Sequence, residues 1–173
     1  YAFHNCNSLK KLTNSSSIVS INEGTFKNCC LLTLIIIPST VKLIEEKSFK
    51  DCKSLSKMTI PSNVTSIADH VFEGCFNLCQ ILIPSSVASI GTCSFKKCFS
   101  LTKISLHSFI STIGCSSFED CISLTQMQIP SSVKSIENNT FHHCINLTKV
   151  VIPSSVITIG DNAFDGCQKL EKL

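Results

Sequence analysis

The chain has 173 residues, 43% of them hydrophobic, and a mean hydropathy of +0.29, enough to build a sizeable core. Its longest apolar stretch, residues 31–37, is interrupted by Thr33 and falls far short of the roughly 20 residues that cross a bilayer. The net charge is only +3, all 15 basic residues are Lys, and Trp is absent, so the electrostatic footprint and guanidinium forks of a nucleic-acid binder are missing.

From the N-terminus the same line recurs every 23 residues. Phe3, Phe26, Phe49, Phe72, Phe95, Phe118, Phe141 and Phe164 form one row. Cys6, Cys29, Cys52, Cys75, Cys98, Cys121, Cys144 and Cys167 form a second, and Leu9, Leu32, Leu55, Leu78, Leu101, Leu124, Leu147 and Leu170 a third. A period of this length marks a solenoid or a propeller. One repeat cannot bury its own apolar face, so neighbours stack and the rows fuse into a continuous core. About seven and a half repeats fill residues 1–173, and the unbroken period predicts one array in one domain. The chain starts just before the Phe of one repeat and stops inside another, as a piece of a longer protein would.

Within a repeat, the steps of three from Phe to Cys to Leu suit a 3₁₀ or single helical turn. The residue before each Cys is Asn28, Asp51, Gly74, Lys97, Asp120, His143 or Gly166. Five of these seven are Gly, Asn or Asp, which predicts a left-handed backbone where the turn closes. After the Leu, spacing changes to 3 and then 2, as in Leu147, Val150 and Ile152. The two-residue step is strand spacing, so short strands are expected around 56–60, 102–106 and 148–152 and their equivalents. Pro38, Pro61, Pro84, Pro130 and Pro153 follow directly and end them, because proline cannot continue a ladder. Val156 and Ile159 then point inward, in a second short extended segment on the opposite side. Two repeats depart from the line. The first has Asn14 and Ser15 where Ile and Pro belong, and the fifth has His107 for Pro and Phe109 for a small polar residue, which is expected to bulge that corner.

The line I-P-S-S-V-x-x-I-G-x-x-x-F-x-x-C-x-x-L-x-x-I-x-I closely resembles the BspA-like, or treponeme-type, leucine-rich repeat over the whole chain. The resemblance implies a right-handed leucine-rich repeat solenoid with a parallel β-sheet on its concave face and short extended or 3₁₀ segments on the other side. It also implies a non-enzymatic protein-binding module, of the kind displayed on cell surfaces as adhesins.

No P-loop, G-x-S-x-G or H-E-x-x-H motif is present, and the 12 acidic residues show no pairing suited to acid–base work. No catalytic residue, cofactor or small-molecule substrate is therefore expected. The eight cysteines of the ladder recur at one position and face inward as small hydrophobes, so they are expected to be reduced. Cys30, Cys79, Cys93 and Cys115 lie outside it, and Cys93 and Cys115, in successive repeats, are the pair best placed to bridge. So many unpaired thiols favour a reducing or anaerobic setting, hence the alternative of a cytoplasmic scaffold or regulatory subunit. His142 and His143 are adjacent, so their side chains are expected to diverge as solvent-facing turn residues that hold no metal. The sequons at Asn14, Asn63, Asn138 and Asn146 are near the number chance gives in a Ser/Thr-rich chain.

Two surface rows remain for a partner. The first lies on the concave strand face between the inward Leu and Ile: Lys11, Leu34, Lys57, Gln80, Lys103, Gln126, Lys149 and Lys172, beside Thr13, Ile36, Thr59, Leu82, Ser105, Gln128 and Val151. Curved solenoids bind through such faces, which nominates Lys57, Gln80, Leu82, Lys103, Gln126, Gln128 and Lys149 for a protein partner. The second follows the Cys ladder, where Phe76, Phe99, Ile122 and Ile145 replace small polar residues in four consecutive repeats. A contiguous apolar stripe marks partner docking or a homodimer.

Overall fold

The computed structural model describes residues 1–13 and 17–173. The departure at Asn14 and Ser15 and the sequon at Asn14 lie outside the described residues. In chain order the strands are β1 (Lys11–Thr13), β2 (Ser20–Ile21), β3 (Leu34–Ile36), β4 (Leu43–Ile44), β5 (Lys57–Thr59), β6 (Ser66–Ile67) and β7 (Gln80–Leu82). They continue as β8 (Ser89–Ile90), β9 (Thr112–Ile113), β10 (Gln126–Gln128), β11 (Ser135–Ile136), β12 (Lys149–Val151) and β13 (Thr158–Ile159). Three-residue strands form one side and two-residue strands another. Every pairing is parallel and joins residues 23 apart, as in Lys57 with Gln80 and Ser66 with Ser89. This is a parallel β-solenoid with one repeat per turn.

The central residue of every three-residue strand after β1, such as Met58, Ile81, Met127 and Val150, is buried, and Leu12 of β1 is half-buried, while the neighbours on either side are exposed. That alternation is the pleat expressed over three residues. The observed strands are one residue shorter at each end than the spacing predicts, because the flanking proline and turn each remove a ladder bond. In the fifth repeat no strand forms within 102–106, contrary to expectation. There His107 Nε2–H donates to the Ile83 carbonyl at 2.6 Å, Phe109 is 67% exposed, and Ile104 and Leu106 are only half-buried. Without the proline, the corner turns toward the previous turn through an imidazole and pulls its strand out of the ladder.

The turns are more regular than the strands. In each, three amides donate to the carbonyls 22 residues ahead: Cys93 to Cys115 at 2.9 Å, Phe95 to Ser117 at 2.9 Å, and Lys97 to Glu119 at 2.8 Å. The same triplet recurs from Gly24, Phe26 and Asn28 through Asn139, Phe141 and His143. The intervening amides close single i→i+3 turns, such as Cys98 to Phe95 at 3.1 Å, so the segment is a chain of 3₁₀-type turns and no helix forms. The two flanking donors need a left-handed backbone. Asn28, Asp51, Gly74, Lys97, Asp120, His143 and Gly166 all have φ between 57° and 74°, as the residue before each Cys was expected to. A second left-handed row lies four residues earlier, at Gly24, Lys47, His70, Cys93, Ser116, Asn139 and Asn162. Its sequence signal is diluted, because only Gly24, Asn139 and Asn162 are residue types that favour this conformation.

The interior is a set of stacked rows. Phe49, Phe72, Phe95, Phe118 and Phe141 are fully buried, and successive rings are stacked with centroids 5.2 to 5.7 Å apart. These spacings exceed the ~4.8 Å between paired strands. Six cysteines of the ladder, from Cys29 to Cys144, are also fully buried, and the row loosens only at Cys6 and Cys167, where one flank has no covering turn.

Candidate binding surfaces

The strand face gathers all seven residues nominated there. Lys57, Gln80, Gln126 and Lys149 share one register, Leu82 and Gln128 the next but one, and Lys103 stands in the gap of the fifth repeat. All seven are exposed. Among the described residues none of Lys57, Lys103 and Lys149 makes an ion pair; the paired lysines are Lys47, Lys50 and Lys96 on the turn side. The acids are segregated. Eleven of the twelve lie in the turn segments, at positions equivalent to 22–28, and the two strand-face rows hold none. One long side of the array therefore presents uncompensated ammonium groups and the other carries the carboxylates. Loss of the fifth strand also opens a shallow groove lined by Lys103, Ile104, Ser105, Leu106, Gln126 and Gln128. Toward the N-terminal end the same face turns apolar, with Ile36 54% and Leu82 56% exposed.

The edge row is less open than its composition suggests. Phe76, Phe99, Ile122 and Ile145 are each half-buried. Phe76 and Phe99 stack on one another at 4.7 Å, and the Lys53 ammonium lies 5.5 Å from the Phe76 ring centroid. The rings shield each other and leave their outer edges to solvent.

All twelve cysteines are free thiols. Those of the ladder from Cys29 to Cys167 are hydrogen-bond donors as well as packing groups: each reaches back 26 residues to a Phe carbonyl of the previous turn, at 3.1 Å for Cys52, 3.2 Å for Cys75 and 3.3 Å for Cys98. Burial pushes the thiol pKa up to about 11 at Cys29 and further at Cys75, Cys98 and Cys121. Cys93 and Cys115, the pair best placed to bridge, are free thiols joined through a backbone hydrogen bond from the Cys93 amide to the Cys115 carbonyl. Of the sequon asparagines, Asn63 and Asn146 donate their amides to Ser39 and Ile122 carbonyls of the previous turn, each at 2.7 Å, and Asn138 accepts from the Asp161 amide at 2.8 Å.

One expectation fails. His142 and His143 do not diverge; their rings stack with centroids 3.8 Å apart and planes at 24°. The cause is the left-handed backbone at His143, with φ of 57°, which swings its side chain to the side of its neighbour. The signal was available, since His143 occupies a row held mostly by Asn, Asp and Gly.

Solved structures confirm the architecture. A leucine rich repeat protein of T. pallidum superposes with a TM-score of 0.89 at 29% identity, over 94% of this chain and 78% of that one. A leucine rich cell surface protein of Faecalibacterium prausnitzii gives 0.75 at 30% identity, over 99% of this chain and 56% of that one. A leucine-rich repeat protein of Bacteroides ovatus gives 0.74 at 28% identity, over 91% and 49%. The chain thus spans about half the length of the latter two. Among curated proteins none matches it. The sequence family described as the BspA type leucine rich repeat region matches residues 1–102 and 88–173, with 6 copies. Its period, its stacked core and these matches agree: the chain belongs to the BspA-type leucine-rich repeat family.

Proposed function

We propose that this chain is a non-enzymatic protein-binding module that docks an acidic partner on its strand face, in an adhesin-like role at a cell surface. One observation carries the reading: the rows holding Lys57, Lys103 and Lys149 contain no acid, and these lysines are exposed and unpaired among the described residues. Charges left uncompensated on one face of the array speed encounter with an opposite surface and select against like-charged ones. Gln80, Gln126 and Gln128 supply hydrogen-bonding amides between them, and Leu82 an apolar contact. The cell-surface description of the F. prausnitzii relative supports the location. Capture of partners on the immobilised chain, followed by replacement of Lys57, Lys103 and Lys149 with Ser, tests it. Binding that weakens and loses its salt dependence supports the strand face, and unchanged binding removes it.

A second reading, a scaffold or regulatory subunit in a reducing compartment, is favoured by the twelve free thiols. A homodimer is assigned to the edge row of Phe76, Phe99, Ile122 and Ile145, whose half-buried side chains keep their outer edges in water.

A further inference from the structure

We propose that His142, His143 and Asp165 form a binding site for a divalent transition-metal ion of the zinc class. The His142 and His143 rings stack with centroids 3.8 Å apart, and Asp165 sits one turn further on in the register of His142, with Oδ2 3.3 Å from His142 Nε2. One ligand atom from each of the three lies within 4.8 Å of the others. Two imidazoles and a carboxylate are a donor set that suits zinc and its neighbours, with a water completing the tetrahedron.

The preceding turn supplies what the outer shell of such a site needs. Glu119 Oε1 lies 3.7 Å from His142 Nδ1, and Asp120 Oδ1 lies 3.5 Å from His143 Nδ1. A carboxylate that closes on Nδ1 holds the proton there and leaves Nε2 with its lone pair for an ion; at 3.7 and 3.5 Å these two stand just outside hydrogen-bonding distance and would complete the contact as the rings are drawn in. Both histidines have that carboxylate, and in both it comes from the register position one turn back. Glu119 is itself held by Lys96 Nζ at 2.9 Å. The following turn supplies the space. Gly166 occupies the register of His143, and a Cβ there would collide with Cδ2 of the His143 ring. Acids before, imidazoles between, and an acid with a glycine after thus occur together at one level of the stack. The equivalent row elsewhere reads His4, Lys27, Lys50, Glu73 and Lys96, which repeats no such set, so the cluster is not a by-product of the 23-residue line. Metal bonds of about 2.0–2.1 Å require the donors to close in. His143 and Asp165, whose side chains are 53% and 64% exposed, have room to rotate toward the ion.

The test is titration of Co²⁺ into the reduced chain, followed by displacement with Zn²⁺. The expected result is one equivalent bound, with visible d–d bands and no near-ultraviolet thiolate charge-transfer band, since cysteine is not a ligand. His143→Ala and Asp165→Asn are expected to weaken binding at least tenfold each, and Asp120→Asn about tenfold through the outer shell. His4→Ala, remote from the cluster, leaves it unchanged. Asp165→Asn keeps the side-chain shape, so it decides the matter even where an alanine variant folds poorly. No saturable binding, a thiolate band, or undiminished affinity in His143→Ala and Asp165→Asn overturns the site.

Discussion

The Cys98 thiol donates a 3.3 Å hydrogen bond to the Phe72 carbonyl, which also accepts the Cys75 amide at 3.1 Å within its own turn. The thiol ladder is thus a second stitching, running back along the chain while the turn amides run forward. Cys98→Ala removes one of two donors to that carbonyl and opens a small cavity, and is expected to cost about 1–3 kcal/mol. Chemical denaturation measures it. In the native chain the buried ladder thiols should react slowly with a thiol reagent, and at least eight should titrate after denaturation without reductant. Fewer would mean that ladder bridges exist.

Phe95 lies mid-stack between Phe72 and Phe118, at 5.5 and 5.4 Å, and is fully buried. Phe95→Ala is expected to lower unfolding free energy by about 3–5 kcal/mol. Phe3→Ala, at a 38% exposed end position, should cost clearly less. Equal losses at both sites would contradict a core that thins toward the ends.

The Ser94 hydroxyl is buried without a hydrogen-bond partner, as are those of Ser48 and Ser117. The same row carries Val71 and Ala163, so the position accepts apolar side chains. Ser94→Ala is expected to be neutral or to stabilise by up to about 1 kcal/mol, because an unpaired buried hydroxyl is a cost that its removal relieves. A melting temperature lowered by several degrees would show that the hydroxyl has a partner.

Burial alone would raise the pKa of Glu73, but hydrogen bonds from Lys50 at 2.8 Å and His70 at 2.6 Å hold it below the ordinary carboxylate value. Glu119 behaves alike beside Lys96 and Ser116. A depressed folded pKa means stability that is full above the unfolded value near 4.3 and is lost as pH falls through the folded one. Each carboxylate keeps contact with solvent, so less than about 1 kcal/mol per site is at stake. Glu73→Gln should flatten the acid limb of a stability–pH curve, and an unaltered limb would contradict the pairing.

Light scattering addresses the edge row. The chain is expected to dimerise with rising concentration, and Phe76→Ser/Phe99→Ser to remain monomeric. A wild type that is monomeric throughout means that the mutual stacking of these rings satisfies them.

Much of this was legible in the residues, for definite reasons. The Phe, Cys and Leu rows recur at one period, and Pro61 and Pro84 mark where strands stop, so the solenoid and its inward faces follow from spacing. The left-handed residue before each Cys was visible where Asn28, Asp51 or Gly74 filled it. Its partner row was not, because Lys47, His70 and Cys93 adopt the same conformation under the pull of three inter-turn bonds, which no propensity records. The stacking of His142 on His143 depended on that backbone and was misjudged with it. The exposure of the strand-face residues follows from alternation, but the openness of Phe76 and Phe99 depends on their contact with each other, which only coordinates show.

The seam of turns has a mechanical consequence. The three-residue strands fall into separate pairs, with no ladder between β3 and β5 and none through residues 103–105, whereas the turn triplets continue past both places without a gap. One long side is therefore stiff and the other compliant, as with a bound spine and loose page edges. Small rotations of each turn about the seam would widen or narrow the opposite face at little cost in hydrogen bonds. A ligand grasped there meets a surface whose pitch adjusts to it, held by a backbone that does not stretch.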